Sequence, residues 1–364
     1  MFDDFFKNKT VLITGHTGFK GSWLAIWLKE LGANVIGYAL EPHTVSDNFE
    51  VCNLKNEITH LIADVKNYSY LSQVFEIHQP DIVFHLAAQA IVTDSYLDPK
   101  ATYDINVGGT VNVLECCRLC DSVKIIINVT SDKCYKNQEW DWGYRETDPI
   151  SGYDPYSSSK GCAELITTAY INSYFNPINY RVHKKVLTSV RAGNVIGGGD
   201  WQTDRLIPDS MKSLAKSELI SLRNPEAVRP WQFVLEPLWG YLLLASKMAY
   251  APDRYSGAWN FGPKFENSIT VKQMVSRIVK TWGEGGWQEV SNKKKPVETN
   301  CLRLDTTKAK YHLGWFPVLN INETIDFTIE WYKKYKRVEP YKLCLKQIDK
   351  FSKKILQASA CKKA

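Results

Sequence analysis

The most constraining feature of the sequence is a strand pattern that runs directly into a glycine-rich turn and then into a helical pattern. Residues 10–14 are apolar and β-branched, glycines follow at Gly15, Gly18 and Gly21, and residues 22–32 have helical periodicity. Glycine lets the backbone turn tightly and approach a pyrophosphate, whose charge the N-terminus of the helix favours. The alternative is an ordinary strand-to-helix turn, so the interpretation depends on the rest of the chain.

The same alternation of strand and helix patterns continues through the first half of the chain. Strand patterns occur at 34–40, 58–63, 81–86, 123–129 and 186–190, with helical patterns such as 68–75 and 106–114 between them. This alternation predicts an α/β fold with a doubly wound parallel Rossmann sheet. Ligands of such sheets bind at the carboxyl ends of the strands.

Beyond the sixth strand the alternation is lost, which predicts a smaller, interleaved C-terminal lobe that binds the substrate. We expect residues 1–190 to form the dinucleotide-binding domain and residues 191–335 most of the second lobe, with segments around 229–262 returning to the first.

Residues 336–364 are a basic tail. Residues 333–364 contain eleven Lys and Arg and two acids, a net charge of +9. Since the whole chain carries +6, residues 1–332 carry −3. Such a tail is typically a solvated extension, and it predicts neither nucleic-acid nor membrane binding.

The composition predicts a cytoplasmic protein with reduced thiols. No apolar run approaches the length of a membrane span, and the first residues, MFDDFF, carry acids where a signal peptide carries basic residues. Of nine cysteines, Cys116, Cys117 and Cys120 lie in a helical pattern, and no second Cys or His pair lies at ligand spacing. We therefore expect mostly buried free thiols and no metal site.

Tyr156 and Lys160 are four residues apart and would project from one face of a helix. A lysine ammonium beside a phenol favours the phenolate, which lowers the pKa of the tyrosine from about 10 toward the range of a general base. Such a pair also arises by chance on many helices. Its context is the segment Thr130-Ser131-Asp132, which directly follows the fifth strand and so points to the same edge of the sheet.

Together these motifs resemble the extended short-chain dehydrogenase/reductases that act on nucleotide sugars, over nearly the whole chain. The motifs that fall in the order of that family are the glycine turn, Asp64-Val65, residues 86–89, Asn106, the Tyr156/Lys160 pair and Asn194. Within the family the chain most resembles the 4,6-dehydratases of CDP-glucose. That similarity is carried by residues 130–135, 152–162, 197–201 and 229–234.

The resemblance implies that the chain binds NAD and a nucleotide sugar, CDP-glucose, and no metal. The implied cofactor-binding residues are Gly15, Thr17, Gly18, Phe19, Lys20, Gly21, Asp64, Val65, Leu86, Ala87, Ala88, Gln89, Asn106, Tyr156 and Lys160. The implied substrate-binding residues are Asn194, Arg205, Arg229 and Asn260. Arginine suits a diphosphate because its guanidinium presents a fork of donors. For Arg229 the alternative is a surface ion pair.

The resemblance also implies an internal redox cycle catalysed by Ser131, Asp132, Lys133, Tyr156 and Lys160. Tyr156 takes the proton of the sugar C4 hydroxyl while hydride passes to the cofactor, and Ser131 holds that hydroxyl. Lys133 then removes the C5 proton, Asp132 protonates the C6 hydroxyl, and water leaves. Hydride returns to C6 to give a 4-keto-6-deoxy sugar for deoxysugar and surface-polysaccharide synthesis. A homodimer that pairs helices around 106–120 and 156–174 is also implied.

Two positions depart from the related dehydratases. Lys133 replaces the glutamate that generally follows the aspartate in the dTDP- and GDP-sugar enzymes, so a contact to a substrate phosphate is the alternative to a base. Ala39 stands where an acid usually holds the adenosine ribose, which leaves the preference for NAD or NADP open. Tyr38 and Glu41 are candidates to replace that acid.

Two other functions remain open at this stage. A 4-epimerase needs the Tyr156/Lys160 pair but no acid and base for elimination, so Asp132 and Lys133 favour the dehydratase. A catalytically silent NAD-binding sensor would need none of these side chains.

Overall fold

Seven parallel strands form the central sheet of the computed structural model, which describes residues 2–290 and 302–361. The strands are β1 Thr10–Thr14, β2 Asn34–Ala39, β3 Thr59–Ile62, β4 Ile82–His85, β5 Ile125–Val129, β6 Val186–Arg191 and β7 Gly257–Asn260. Their order across the sheet is β7-β6-β5-β4-β1-β2-β3. The predicted doubly wound Rossmann sheet is therefore confirmed. The order reverses between β1 and β4, where such sheets open a crevice for ligands.

Helices cover both faces of this sheet. The longer ones are α1 Phe19–Glu30, α2 Tyr68–His78, α3 Gly109–Leu119, α4 Pro155–Ser173, α5 Leu206–Ala215, α6 Leu235–Met248, α7 Val271–Trp282, α8 Ile321–Lys334 and α9 Pro340–Cys361. Short helices lie at Asn48–Val51, Val92–Leu97, Pro99–Tyr103, Tyr180–His183 and Pro252–Tyr255. Side chains alternate between the two layers: on β1, Val11 and Ile13 pack on one side and Leu12 on the other.

The smaller lobe is interleaved with the sheet, as predicted, because β7 pairs in parallel with β6 although 65 residues separate Arg191 from Gly257 in the chain. Three two-stranded pairs belong to the intervening and following chain. They are Val195–Ile196 with Gln232–Phe233, Val228–Pro230 with Ser268–Thr270, and Ile220–Leu222 with Trp287–Glu289. These pairs and helices α5 and α7 bring the second lobe over the carboxyl ends of the central strands.

The basic segment near residue 340 is not a solvated extension. It forms α9, whose apolar side chains Cys344, Ile348, Phe351 and Ile355 recur at helical spacing and are buried. The ring of Phe351 lies 6.1 Å from that of Trp27 on α1. The prediction of a solvated tail came from the many lysines, which lie on the exposed face of this helix. The helical spacing of its apolar residues indicates the buried face.

Eight of the nine cysteines lie in the described residues, and all eight are free thiols, six of them buried. This agrees with the predicted reduced, mostly buried thiols, while Cys301 lies outside the described residues. Over residues 2–290 and 302–361, none of the helices combines the length and the apolar character needed to cross a membrane.

Candidate active site

The carboxyl ends of the central strands open into one cavity of about 1290 Å³ beneath the second lobe. A single small-molecule site typically measures about 300–1,000 Å³, so this cavity has room for two ligands side by side. Nearly all of the predicted site residues line it. They are Gly15, Thr17, Gly18, Phe19, Lys20, Gly21, Asp64, Val65, Leu86, Ala87, Ala88, Gln89, Ser131, Asp132, Lys133, Tyr156, Lys160, Asn194, Arg205 and Arg229.

The glycine turn after β1 has the shape that a pyrophosphate needs. Gly15 has a positive φ of 78°, and a β-carbon there would lie 2.7 Å from the main-chain nitrogen of Ala87. A β-carbon on Gly21 would lie 2.1 Å from the oxygen of Gly15. Gly18 begins α1 without a side-chain cap, so the first amides of the helix face the cavity. The residues present therefore fit the diphosphate of a dinucleotide.

At the end of β2, Ala39 lines the cavity at the position where related enzymes usually carry an acid. Tyr38 cannot replace that acid, because it is buried and its hydroxyl donates to the main-chain oxygen of Asp64 at 2.9 Å. Thr17 fixes the loop after β2 by donating to the oxygen of Leu40 at 2.9 Å. Glu41, exposed at the edge of the cavity, is the remaining candidate of the two.

Asn106 does not line the cavity but lies directly behind it. Its side chain accepts a hydrogen bond from the Gln89 amide at 2.9 Å and donates to the Gln89 oxygen at 3.0 Å. It also donates to Ser159 on α4 at 2.8 Å. Its position supports the placing of Gln89 and gives no support to the predicted direct contact with the cofactor.

Tyr156 and Lys160 lie one turn apart near the start of α4, which Asp154 caps by accepting from the Ser157 amide at 2.9 Å. Burial raises the pKa of Tyr156 to about 12, and a hydrogen bond with Ser131 opposes this increase. The expected lowering of the phenol pKa is therefore wrong for this structure. Burial lowers the pKa of Lys160 to about 8, and its ammonium donates to the main-chain oxygen of Val129 at 3.4 Å.

Segment 131–133 forms a tight turn just beyond the end of β5. The Ser131 hydroxyl donates to Oδ1 of Asp132 at 2.9 Å and accepts from the Lys133 amide at 3.2 Å. Asp132 is buried, Lys133 is half-buried, and both line the cavity beside Tyr156. A carboxyl group and an amine are thus adjacent to the candidate base of the first step.

Three cationic side chains line the cavity together with Asp132. Burial lowers the pKa of Lys20 to about 8, Asp132 acts in the opposite direction, and Arg205 and Lys160 add to the decrease. Arg205 and Lys160 thus act electrostatically on Lys20, and all three side chains line the same cavity. Arg205 also forms an ion pair of 2.9 Å with Asp200. Such a cluster favours an anionic ligand and negative charge that develops on a sugar oxygen.

Of the four predicted substrate residues, Asn260 is placed apart from the rest. It is fully buried at the end of β7, where it accepts from the Tyr135 hydroxyl at 2.8 Å. Its amide donates to the main-chain oxygens of Tyr144 at 2.8 Å and Asp305 at 3.2 Å. All of its polar atoms therefore serve the fold, and its position contradicts a contact with substrate.

Sequence reasoning missed several residues that shape the site. Gly193 packs against the carboxylate of Asp132, and no local sequence pattern predicts that contact. Glu164 is buried in an ion pair with Arg191 at 2.8 Å. Its position four residues after Lys160, on the same face of α4, was the available signal. In the described part of the chain no group of three or more His, Cys, Asp or Glu is placed to hold a metal ion.

Comparison with known proteins identifies the family. Residues 12–328 match the family model described as GDP-mannose 4,6 dehydratase. The chain belongs to the GDP-mannose 4,6-dehydratase family. The predicted kinship with nucleotide-sugar dehydratases is thereby confirmed.

Family members differ in how similar they are to this chain. This chain is 46% identical to the CDP-glucose 4,6-dehydratase of Salmonella typhimurium over 344 residues, which cover 94% of this chain and 96% of that protein. It is 27% identical to the dTDP-D-glucose 4,6-dehydratase of Homo sapiens, over 91% of this chain and 93% of that protein.

Solved structures share the fold. The UDP-glucose 4-epimerase of Thermotoga maritima, solved with UDP-glucose, superimposes with a TM-score of 0.75 at 24% identity, over 90% of this chain and all of that one. The dTDP-glucose 4,6-dehydratase of Bacillus anthracis, solved with NAD, gives a TM-score of 0.74 at 21% identity, over 92% and 99%. At these identities the likeness shows the Rossmann-type fold and does not favour an epimerase over a dehydratase.

Proposed function

We propose that the chain is a hydro-lyase that converts CDP-D-glucose into CDP-4-keto-6-deoxy-D-glucose and water, with NAD as its cofactor. The observation that carries the proposal is that Asp132 and Lys133 line the same cavity as Tyr156 and Lys160. The substrate class is supported by the relative that is 46% identical over 94% of the chain. NAD is supported by the fit of the glycine turn to a diphosphate.

In the first step the chain removes the proton of the sugar C4 hydroxyl. Tyr156 is the base, and Ser131, which lines the cavity and acts on the pKa of Tyr156, is the second partner of that hydroxyl. The Lys160 ammonium, one turn further along α4, is the group assigned to favour the phenolate and so to offset part of the burial that raises the pKa of Tyr156. NAD, when bound, supplies the acceptor that takes hydride from C4 and later returns it to C6.

The second step eliminates water from C5 and C6. The 4-keto group acidifies the C5 proton, which Lys133 removes as a base, while Asp132 gives a proton to the departing C6 hydroxyl. This requires neutral Lys133 beside protonated Asp132, one proton transfer away from the inactive ion pair. After hydride reaches C6, Lys133 returns its proton to C5. Tyr156 then releases to solvent the proton that it took from the C4 hydroxyl, and Asp132 regains one from solvent.

Three polar residues of the second lobe would hold the nucleotide sugar. Asn194 and Arg205 line the catalytic end of the cavity, and the electrostatic effect of Arg205 reaches both Tyr156 and Lys20. Arg229 lies in the strand pair Val228–Pro230 with Ser268–Thr270 and lines the same cavity. We assign Asn194 and Arg205 to the sugar and Arg229 to the diphosphate, for which a guanidinium is suited.

We also propose a homodimer through α3 and α4. Exposed apolar side chains lie on α3 at Val111 (37% exposed), on α4 at Leu165 (62%) and directly after α4 at Tyr174 (50%). Exposed apolar side chains that form one contiguous patch typically mark a protein interface. Light scattering coupled to size exclusion measures the mass directly, and a monomer at micromolar concentration would contradict the proposal.

Product mass tests the proposed function. The purified protein is incubated with NAD and, separately, with CDP-, dTDP-, GDP- and UDP-glucose. We expect the fastest turnover with CDP-glucose and a product lighter by one water. Unchanged mass with a changed C4 configuration would indicate an epimerase, and faster dehydration of another nucleotide sugar would overturn the assignment of the base.

A further inference from the structure

A buried ion pair lies directly behind the catalytic residues. Glu164 on α4 and Arg191 at the end of β6 are 2% and 3% exposed, and their charged atoms are 2.8 Å apart. Ser189 donates a further hydrogen bond to the same carboxylate oxygen at 2.7 Å. Burial opposes the charge of Arg191, but the pair with Glu164 keeps the pKa of the guanidinium above its ordinary value.

Glu164 contacts the residue that immediately precedes segment 131–133. The hydroxyl of Thr130 donates to Oε1 of Glu164 and, at 3.3 Å, to the main-chain oxygen of Val190 on β6. Thr130 is therefore tied both to α4, which carries Tyr156 and Lys160, and to the neighbouring strand.

Arg191 contacts the other side of the same segment. Its Nη1 donates to the hydroxyl of Tyr135 at 2.6 Å, and its guanidinium lies 4.7 Å from the centre of the Tyr135 ring. The Tyr135 hydroxyl in turn donates to Asn260 at 2.8 Å. One buried ion pair thus holds both flanks of the turn that carries Ser131, Asp132 and Lys133.

We propose that Glu164 and Arg191 are positioning residues that keep segment 131–133 in register with Tyr156 and Lys160. The inference rests on the proposed function, in which the two groups of residues act in succession on one sugar. Once the carbonyl has formed at C4, the C5 proton of the same sugar must lie within reach of Lys133 without any movement of the substrate. Displacement of reacting groups by about 1 Å can cost about a hundredfold in rate, so the register of the two groups decides how fast elimination follows oxidation.

The flanks can be loosened without leaving a charge unpaired in the core. Thr130→Val removes the contact to Glu164, and Tyr135→Phe removes the hydroxyl contact to Arg191 but keeps the ring beneath the guanidinium. Direct substitution of Glu164 would strand a buried arginine and endanger folding. Thr328→Val and Tyr255→Phe are matched controls, because each removes a buried hydroxyl that donates to a main-chain oxygen elsewhere, at 2.8 Å and 3.3 Å.

Two measurements report the register. Hydrogen–deuterium exchange of the ligand-free protein follows the amides of residues 130–135. Mass spectrometry of a single turnover with CDP-glucose and NAD in deuterated water separates the 4-keto sugar that has kept its water from the dehydrated product. We expect Thr130→Val and Tyr135→Phe to speed exchange in this segment and to slow elimination about tenfold to a hundredfold. The rate of C4 oxidation and the KM should stay close to those of the wild type, so undehydrated 4-keto sugar accumulates.

The outcomes separate the inference from the proposed function. The inference is overturned if the wild type dehydrates CDP-glucose and the flank variants slow oxidation and elimination in equal proportion, as general loosening would. It is also overturned if the controls shift the product ratio as much as the flank variants do, or if exchange of residues 130–135 does not change. A wild-type protein that leaves the mass of every nucleotide sugar unchanged overturns the proposed function itself.

Discussion

Gly193 lies against the carboxylate of Asp132 so closely that a β-carbon on the glycine would be 1.8 Å from Oδ2. We expect Gly193→Ala to push Asp132 out of place and to reduce dehydration about a hundredfold, because a small displacement of a reacting group is costly. Steady-state release of dehydrated sugar measures the effect. Gly108→Ala is the matched control, since a β-carbon there meets nothing within 4 Å. Full activity of Gly193→Ala would show that Asp132 tolerates displacement.

Tyr156→Phe should lose most turnover while still binding CDP-glucose. Removal of the phenol eliminates the base of the first step, which typically contributes about a hundredfold to ten-thousandfold in rate, but little contact area. Calorimetric titration with CDP-glucose and turnover with NAD measure the two effects separately. Near-normal turnover in the purified variant would rule out Tyr156 as the base.

The pH dependence of kcat/KM should report the Tyr156/Lys160 pair. The active form combines the Tyr156 phenolate with the Lys160 ammonium, whose pKa values are about 12 and about 8. Below pH 8 both groups are protonated, so kcat/KM should rise about tenfold per pH unit. Between the two values the pair holds one proton in total, so the population of the active form is constant and the profile levels off. In Lys160→Met the break near pH 8 should vanish, and a profile that falls below pH 8 as the pH rises would contradict this assignment.

Lys133→Ala should separate oxidation from elimination. With Tyr156 and Lys160 intact, the variant should still oxidise C4, but it should not exchange the C5 proton with solvent deuterium and should form an undehydrated 4-keto sugar. The exposed neighbour Lys136→Ala removes the same charge outside the cavity and serves as control. A raised KM with normal C5 exchange at saturation would mean that Lys133 contacts a phosphate instead.

Ala39→Asp should tighten the binding of NAD and weaken that of NADP. A carboxylate at the end of β2 can accept a hydrogen bond from the ribose, and a bond to a charged group contributes about 1.5–3 kcal/mol, or roughly tenfold to a hundredfold in Kd. In the unaltered protein we expect exchangeable NAD, so activity after gel filtration should rise when NAD is added. Quenching of tryptophan fluorescence gives the Kd values. Glu41→Gln tests whether that residue supplies the missing acid, and an unchanged Kd in Ala39→Asp would place the ribose elsewhere.

The periodicity of the sequence was sufficient to predict the central sheet, because buried strands and amphipathic helices leave local patterns of apolar residues. Every predicted strand was found, each within two residues of its predicted ends. Gly15 and Lys133, which follow strand ends, line one cavity with Tyr156 of α4. Local patterns do not show, however, how deeply an individual polar side chain is buried. Burial reverses the expected pKa shift of Tyr156, and Asn260 turns into the core although it lies at the end of a central strand.

Contacts between distant segments were beyond the reach of the sequence. Glu164 and Arg191 are 27 positions apart, and although the spacing of Glu164 from Lys160 places it on the catalytic face of α4, nothing in the sequence pairs it with Arg191. Gly193 is separated from Asp132 by 61 positions, and only the tertiary structure reveals why a side chain is excluded there.

The packing of α9 on α1 also constrains how the polypeptide matures. Over 300 residues separate Glu30 from Pro340, so the outer face of α1 around Trp27 stays uncovered while the ribosome makes most of the chain. The first strand–turn–helix unit can form early, but its outer layer closes only after synthesis has passed Phe351. Nascent chains arrested before that point should expose Trp27 to solvent and recruit chaperones.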